Sequence, residues 1–218
     1  MDKYLKQLKP AMMKYLEDNF PQEVYSRWIR LEELYNKWLK EDDLGGSSNM
    51  MAYNMNLCYG ICALYEVSDK KFNGDDFIKL AREVMGEKSK MMSKIDMNKV
   101  GNNKALLKVL YLYMNSYLKK VNKYRGNKWG NTWKLRVNPD NKETGIAYVL
   151  DSCPLYDFAK KNGYMEVLPN LCAFDHEVAS YMHAKLIRHN ILSAGDNCCE
   201  YWYVGDKSKE ALSDTDSK

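Results

Sequence analysis

The stretch WGNTWKLRVNPDNKETGIAYVLDSC, residues 129–153, marks the point at which the pattern of the chain changes from helical to extended. β-branched and aromatic residues alternate or cluster on both sides of Pro139, Asp140 and Asn141. A Pro-Asp-Asn sequence between two such runs is typical of a turn that joins two strands. The stretch therefore predicts a β-hairpin.

Beyond the hairpin, the chain predicts two short helices and two more strands. The segment PLYDFAKKNGY begins with Pro and stops at Asn-Gly, which is the usual punctuation of a short helix. A second helix is expected over about residues 174–181, and strands are expected near residues 183–192 and 198–204. The order β-β-α-α-β-β suits an antiparallel sheet with helices packed on one face.

The region before the hairpin predicts helices. Residues 1–43 carry apolar side chains at spacings of three and four, and LGGSSN at 44–49 predicts a turn. Further helices are expected over residues 50–67, from 75 or 76 to 85, and over 103–124. The apolar face of the N-terminal helices can serve a homodimer as readily as a core; it consists of Val24, Trp28, Leu31, Leu34, Tyr35 and Trp38.

The fold class is therefore predicted to be α+β. A helical region, residues 1–125, is expected to form one globular unit with a sheet region, residues 126–204, followed by a flexible tail at 205–218. Hydrophobic residues make up 45% and charged residues 28% of the 218 residues, which is an ordinary globular balance.

Charge and hydropathy limit the partners. The formal net charge of +4 is spread along the chain without a concentrated basic patch, so we expect no nucleic-acid partner. No apolar run approaches the roughly 20 residues of a membrane span, and the N-terminus lacks the apolar core of a signal peptide. We expect a cytoplasmic protein without a membrane partner, with its six cysteines mostly reduced.

Cys153 is the first candidate for chemistry. It is predicted at the junction of a strand and a helix, where unpaired amide groups and the helix dipole lower the pKa of a thiol. The alternative is a small buried residue at the end of a strand.

Cys172 and Asp175 stand three residues apart where a helix is expected to begin. A thiol nucleophile and a proton-carrying carboxylate can then share one helix mouth, although Asp175 can also simply cap the helix. Cys198 and Cys199 are adjacent in a predicted strand and point to opposite faces, so only one of them can join a pocket. Cys58 and Cys62 share a helix face and are interpreted as core.

A metal site and a bound cofactor are both disfavoured. Zinc ligand types are present, including His176, His183 and His189, but the chain contains no Cys-x-x-Cys and no His-Glu-x-x-His pair. It also contains no Gly-rich phosphate loop and no dinucleotide fingerprint. We therefore predict no metal and no cofactor.

Arg188 is the candidate for substrate binding. A guanidinium on a mostly apolar strand is costly unless it is exposed or paired, and a fixed Arg is a natural clamp for a small carboxylate. The alternative is an Arg at a sheet edge in water.

Three segments together carry a resemblance to a known family: DSCPLYDFAKKNGY, LPNLCAFDHEV and IRHNILSAGDNCCEYWY. Their order and spacing resemble those of the L-2-amino-thiazoline-4-carboxylic acid hydrolase family over residues 126–204, and more loosely over residues 49–66. On this resemblance the family positions fall on Cys153, Cys172, Asp175, Arg188, Gly195 and Cys199. Two departures are Glu200, where the family leads us to expect Asp, and RHNIL, which replaces a threonine-containing sequence.

The resemblance implies hydrolytic opening of a five-membered thiazoline ring to give a carbamoyl-cysteine. We take Cys172 as the nucleophile because its carboxylate partner Asp175 is local in the sequence, with Cys153 as the next choice and Cys199 as a further catalytic candidate. Asp175 would carry the proton and Arg188 would hold the substrate carboxylate.

Two other classes of function stay open. The same order of elements resembles the ligand-binding domains related to vinyl reductase-like proteins, which implies a non-catalytic small-molecule sensor. The third class is a thiol-based metal-binding or redox protein.

Overall fold

The computed structural model describes residues 2–41, 44–45, 48–130 and 132–218, with the backbone alone for Glu87. The predicted turn at 44–49, the end of the helical stretch 1–43 and the start of the predicted hairpin each include residues outside this description.

The N-terminal helices surround one central helix. Helix α1 spans Lys3–Asn19, α2 spans Val24–Glu41 and α3 spans Ala52–Val67. Helix α3 is apolar on nearly all sides, so it is buried between α1, α2 and the later helix Pro154–Asn162. Most of the face predicted on α2 is buried in this core, namely Val24, Trp28, Leu31, Tyr35 and Trp38. The homodimer stays a prediction.

Three further helices precede the sheet. Helix α4 spans Gly74–Met92, α5 spans Met97–Val100 and α6 spans Lys104–Tyr124. The prediction ended the fourth helix at residue 85, but it continues beyond a kink at Gly86, where φ is 31° and ψ is −115°. The four-residue helix α5 was not predicted, because one turn carries no periodic signal.

The C-terminal half forms a four-stranded antiparallel sheet in the order β1-β2-β4-β3. The strands are β1 (Lys134–Val137), β2 (Ile146–Ser152), β3 (Ala184–Ile187) and β4 (Cys199–Gly205). Helices α7 (Pro154–Asn162) and α8 (Leu168–Tyr181) lie between β2 and β3 in the chain. The predicted α+β class and the element order β-β-α-α-β-β are confirmed.

Two predicted boundaries near the site were wrong. Helix α8 begins at Leu168 rather than near residue 174, with a Pro in its first turn, where the missing N–H has no helical partner. Cys172 and Asp175 therefore lie inside the helix and not at its mouth. Strand β3 ends at Ile187, so Arg188 follows the strand instead of belonging to it.

Helices cover both faces of the sheet, although the prediction placed them on one. On one face, Leu186 packs with Met97 of α5 and Ala179 of α8. On the other face, Ala211 of the short helix α9 (Lys209–Ser213) packs with β-strand side chains Ile187 and Val204. Helix α9 lies in the segment 205–218 that was expected to be a tail, and the flexibility of that segment stays a prediction.

Candidate active site

A cavity of about 320 Å³ lies between the sheet and helices α3, α4 and α8. Its wall is mainly apolar and aromatic, with side chains such as Leu57, Val84, Trp133 and Phe174. Cavities of this kind, with few polar groups in an apolar wall, are the usual form of small-molecule sites. The cavity is therefore the candidate site.

The cavity brings together the four residues that were predicted to be catalytic. Cys153 is the N-cap residue of α7, Cys172 lies in the second turn of α8, and Cys199 is the first residue of β4. These three thiols and Asp175 all line the cavity, and the structure shows all three cysteines as free. Cys172 and Asp175 face the same side because residues three apart on a helix are neighbours.

The thiols of the cavity are held in their neutral form. Burial raises the pKa of Cys172 to about 12, although a hydrogen bond with Ser193 opposes the shift. Burial also raises the pKa of Cys153 and of Cys199 above the ordinary thiol value. Amide groups at the start of α7 lower the pKa of Cys153, as expected, but burial outweighs them, so the net shift is upward.

Asp175 and Arg188 form an ion pair at the back of the cavity. Nη1 of Arg188 donates to Oδ2 of Asp175 across 3.0 Å. Burial raises the pKa of Asp175, while the charge of Arg188 opposes this shift. About 35% of the Asp175 side chain is exposed, and since Asp175 is a wall residue, this surface opens into the cavity.

Arg188 itself is buried behind the wall. Its guanidinium also donates to the main-chain oxygen of Cys172 across 2.8 Å and to that of Lys218 across 3.2 Å. It is absent from the described residues that line the cavity. In this geometry Arg188 holds protein groups and does not face the space that a ligand would occupy.

Two tyrosines complete the site and were not predicted. Tyr201 donates its hydroxyl to Oδ2 of Asp175 across 3.1 Å, and its ring stacks on that of Tyr148 at a centroid distance of 4.7 Å. Burial raises the pKa of Tyr201, so its hydroxyl stays a donor. Tyr201 could have been predicted from the sequence, because residues two apart in a strand face the same side of the sheet and Tyr201 is two residues after Cys199.

The remaining cysteines and histidines lie elsewhere. Cys198 is not among the described residues of the cavity wall, as expected from its opposite parity to Cys199. Cys58 and Cys62 are buried in the core, with their sulfurs 4.0 Å apart. Among the described residues, no three His, Cys, Asp or Glu side chains are grouped so that they could share a metal ion.

A second cavity of about 290 Å³ adjoins the first beneath α6. The two cavities share part of their walls, namely Met51, Asn54, Tyr148 and Leu150. Exposed side chains of Met50 and Tyr113 stand at the outer end of the second cavity. The two cavities are therefore neighbours, with the unbranched side chain of Met51 in the wall between them.

The fold and the site define an α+β protein whose sheet and helices enclose an apolar cavity with three thiols and one carboxylate. A family model described as L-2-amino-thiazoline-4-carboxylic acid hydrolase matches residues 51–203, which is more than half of the chain. The chain belongs to this family. No curated protein and no solved structure matched it. Within the described residues, every helix is too short or too polar to cross a membrane.

Proposed function

We propose that the protein is a hydrolase that opens a small cyclic amidine-like ring, such as that of 2-amino-thiazoline-4-carboxylate, with Cys172 as the nucleophile. The observation that carries the proposal is the placement of Cys172 and Asp175 one helical turn apart on α8, both facing one cavity. Membership of the hydrolase family supports the reaction class. The placement supplies a nucleophile and a proton carrier on one rigid element.

In the first half of the proposed reaction, the thiol replaces the ring sulfur. The carbon between ring sulfur and ring nitrogen is electrophilic, and Cys172 adds to it while Asp175 accepts the thiol proton. The tetrahedral adduct then breaks its bond to the ring sulfur, and Asp175 returns the proton to that sulfur. The result is an opened substrate with a free thiol, linked to Cys172 through the amidine carbon.

In the second half, water releases the product. Asp175 accepts a proton from a water molecule that attacks the same carbon, and the bond to Cys172 breaks as the proton passes to its sulfur. The product carries a carbamoyl group on the former ring nitrogen, so 2-amino-thiazoline-4-carboxylate would give carbamoyl-cysteine. The raised pKa of Asp175 suits this exchange, since proton carriers work best with a pKa closer to the working pH.

Arg188 acts in this proposal as a positioning residue. Its hydrogen bonds to Oδ2 of Asp175 and to the main chain of Cys172 fix the carboxylate beside the thiol. Tyr201 shares the same oxygen, so the carboxylate is held from two directions. Binding of a substrate carboxylate by Arg188, as implied by the family resemblance, would require the guanidinium to leave these contacts.

The test is replacement of the cavity residues one at a time, with release of a new thiol from 2-amino-thiazoline and its 4-carboxylate as the readout. Cys172→Ser and Asp175→Asn should each lower turnover by about a hundredfold or more. Cys198→Ser is the matched control, since Cys198 is adjacent to a cavity thiol in sequence but does not line the cavity. Circular dichroism should show that each variant is folded.

Cys153→Ser and Cys199→Ser identify the nucleophile. If Cys172→Ser keeps full turnover while one of these two loses it, the nucleophile is that other cysteine. Full turnover in all three cysteine variants and in Asp175→Asn would refute the thiol mechanism.

A non-catalytic binding protein is the second candidate. It is favoured by the raised pKa of Cys153, Cys172 and Cys199, because a thiol that stays neutral is a poor nucleophile. Saturable binding of a thiazoline without thiol release would support this candidate over the hydrolase.

A further inference from the structure

In the part of the chain that the structure describes, the wall of the first cavity carries one charged side chain, Asp175, and its partner cation Arg188 lies behind the wall. Among the described residues that form it, Asp175 is the one carboxylate, and no Lys, Arg or His is present. A ligand carboxylate inside the cavity would therefore lose its water without gaining a cation, and it would approach a second carboxylate. Both effects disfavour binding of an anion.

Neither Arg188 nor Lys88 places a cation inside the cavity for a ligand carboxylate. Arg188 is 1% exposed and already donates to Asp175 and to main-chain oxygens. Lys88 lies over the ring of Tyr53, 5.2 Å from its centroid, but its side chain is exposed on α4. A carboxylate could meet Lys88 only at the rim and not beside Cys172.

The carboxylate of Asp175 has one oxygen left for a ligand. The ion pair with Arg188 and the hydrogen bond from Tyr201 both use Oδ2. The described residues offer no partner to Oδ1, on a side chain that opens into the cavity. Such an oxygen accepts N–H groups, and a protonated amidine presents them next to its electrophilic carbon.

The two cavities together offer more volume than a five-membered ring needs. The first cavity, of about 320 Å³, adjoins the second, of about 290 Å³, and both have Met51 and Tyr148 in their walls. The second cavity is also apolar, with Met114 and Leu135 in its wall. A ligand that fills this space needs an apolar body as well as a reactive ring.

We infer that, within the class of cyclic amidine-like rings proposed above, the ligand of this site carries an apolar substituent in place of the carboxylate, so that 2-amino-thiazoline-4-carboxylate itself is a poor ligand. The ring of the preferred ligand lies between Cys172 and Oδ1 of Asp175, and its substituent extends past Met51 into the second cavity. The identity of the ring rests on the proposed function, whereas the preference for an apolar and uncharged or cationic ligand rests on the walls alone.

Four probes separate charge from size: 2-amino-thiazoline with a 4-carboxylate, a 4-carboxamide, a 4-methyl or a 4-butyl group. Binding is measured by calorimetry on the full chain with Cys172→Ser, so that hydrolysis does not consume the probe. The carboxamide should bind at least about tenfold more tightly than the carboxylate, because it has nearly the same shape without the charge. The butyl compound should gain up to about fourfold over the methyl compound for each added methylene.

Two variants show which residues cause the differences in affinity. Asp175→Asn should reduce the difference in affinity between the carboxamide and the carboxylate, because it removes the charge that repels the carboxylate. Met114→Trp fills the second cavity and should remove the difference between the butyl and methyl compounds. If either variant fails to fold, the four probes on the Cys172→Ser chain still decide the inference.

The outcomes separate the inference from the proposed function. A carboxylate that binds as tightly as the carboxamide, or binding that is lost in Lys88→Met, overturns the inference. Absence of saturable binding by all four probes overturns it as well. Tight binding of the butyl compound without thiol release by the unmodified protein supports the inference and refutes the hydrolase. If the carboxylate binds most tightly of the four probes and also releases its thiol fastest, the hydrolase is supported and the inference is overturned.

Discussion

Arg188 and Asp175 are joined behind the cavity by an ion pair, with Nη1 of Arg188 3.0 Å from Oδ2 of Asp175. The same guanidinium reaches the main-chain oxygens of Cys172 and Lys218. The buried guanidinium of Arg188, which directly follows β3, therefore connects helix α8 to the segment that follows α9. This connection fixes the carboxylate relative to the thiol of Cys172.

Replacing Arg188 by Met should destabilise the protein by about 3 kcal/mol, because the change leaves a buried network without its donor. Arg136→Met is the matched control, since Arg136 forms an exposed ion pair with Asp151 and should cost less than about 1 kcal/mol. Urea unfolding of the three proteins measures the difference. Equal losses in both variants would contradict the role of Arg188 as a buried link.

The same variant should shift the pH dependence of turnover. The charge of Arg188 lowers the pKa of Asp175, so its removal should raise that pKa further. The acidic limb of the profile should then move to higher pH. A role for Arg188 in stability alone would lower the amount of folded protein but leave the position of this limb unchanged.

Cys172 should react slowly with iodoacetamide in the folded protein. Its pKa of about 12 leaves little thiolate at pH 7, so alkylation should be at least about tenfold slower than in the chain unfolded in guanidinium. The rate should rise steadily as the pH increases from 7 to 10. Mass spectrometry of the peptide that contains Cys172 follows the reaction, and equal rates in the folded and unfolded chains would show that the cavity does not suppress the thiolate.

The sequence predicted the elements whose signal is local. Helical periodicity located most helices, and the Pro-Asp-Asn turn located the hairpin between β1 and β2. Strand parity separated Cys199, which lines the cavity, from Cys198, which does not. These signals are local because neighbouring residues alone decide a helix face, a turn or a strand face.

The rest depended on contacts between distant parts of the chain. The partners of Arg188 lie 13 residues before it at Asp175 and 30 residues after it at Lys218, so no spacing rule connects them. The raised pKa of Cys153 arises from burial by other elements, whereas the sequence showed only the start of α7. The early start of α8 could have been predicted, since Pro169 is a residue that favours the first turn of a helix.

Gly145→Ala should destabilise the protein more than Gly195→Ala. Both glycines have positive φ, of 71° and 95°, so each substitution strains the backbone by about 1 kcal/mol. A Cβ at Gly145 would lie 2.4 Å from the main-chain oxygen of Tyr203, whereas a Cβ at Gly195 would meet open space. The clash should add about 1–3 kcal/mol to the loss, as measured by urea unfolding. Equal losses would show that the start of β2 shifts away from β4 at little cost.

Asp214 should make the stability of the protein depend on pH below 4. Burial raises its pKa, but hydrogen bonds from Lys185, Ser217 and His189 outweigh burial and hold the pKa at about 2, below the ordinary 3.8. A carboxylate with a depressed pKa stabilises the folded state above its unfolded pKa, and this contribution is lost as the pH falls through its folded pKa. The pH window is therefore from about 4 down to about 2.

Asp214→Asn isolates this contribution. The variant should be less stable than the unmodified protein by about 1 kcal/mol at pH 6, a modest figure because the partners Lys185 and His189 are partly exposed to water. The difference should shrink as the pH falls from 4 towards 2. Asp216→Asn is the matched control, since Asp216 is an exposed residue of the same segment that bonds only Thr215 among the described residues. Denaturant unfolding at several pH values measures both differences. A stability gap for Asp214→Asn that stays constant from pH 6 to pH 3 would mean that the ion pair with Lys185 does not hold this segment against the sheet.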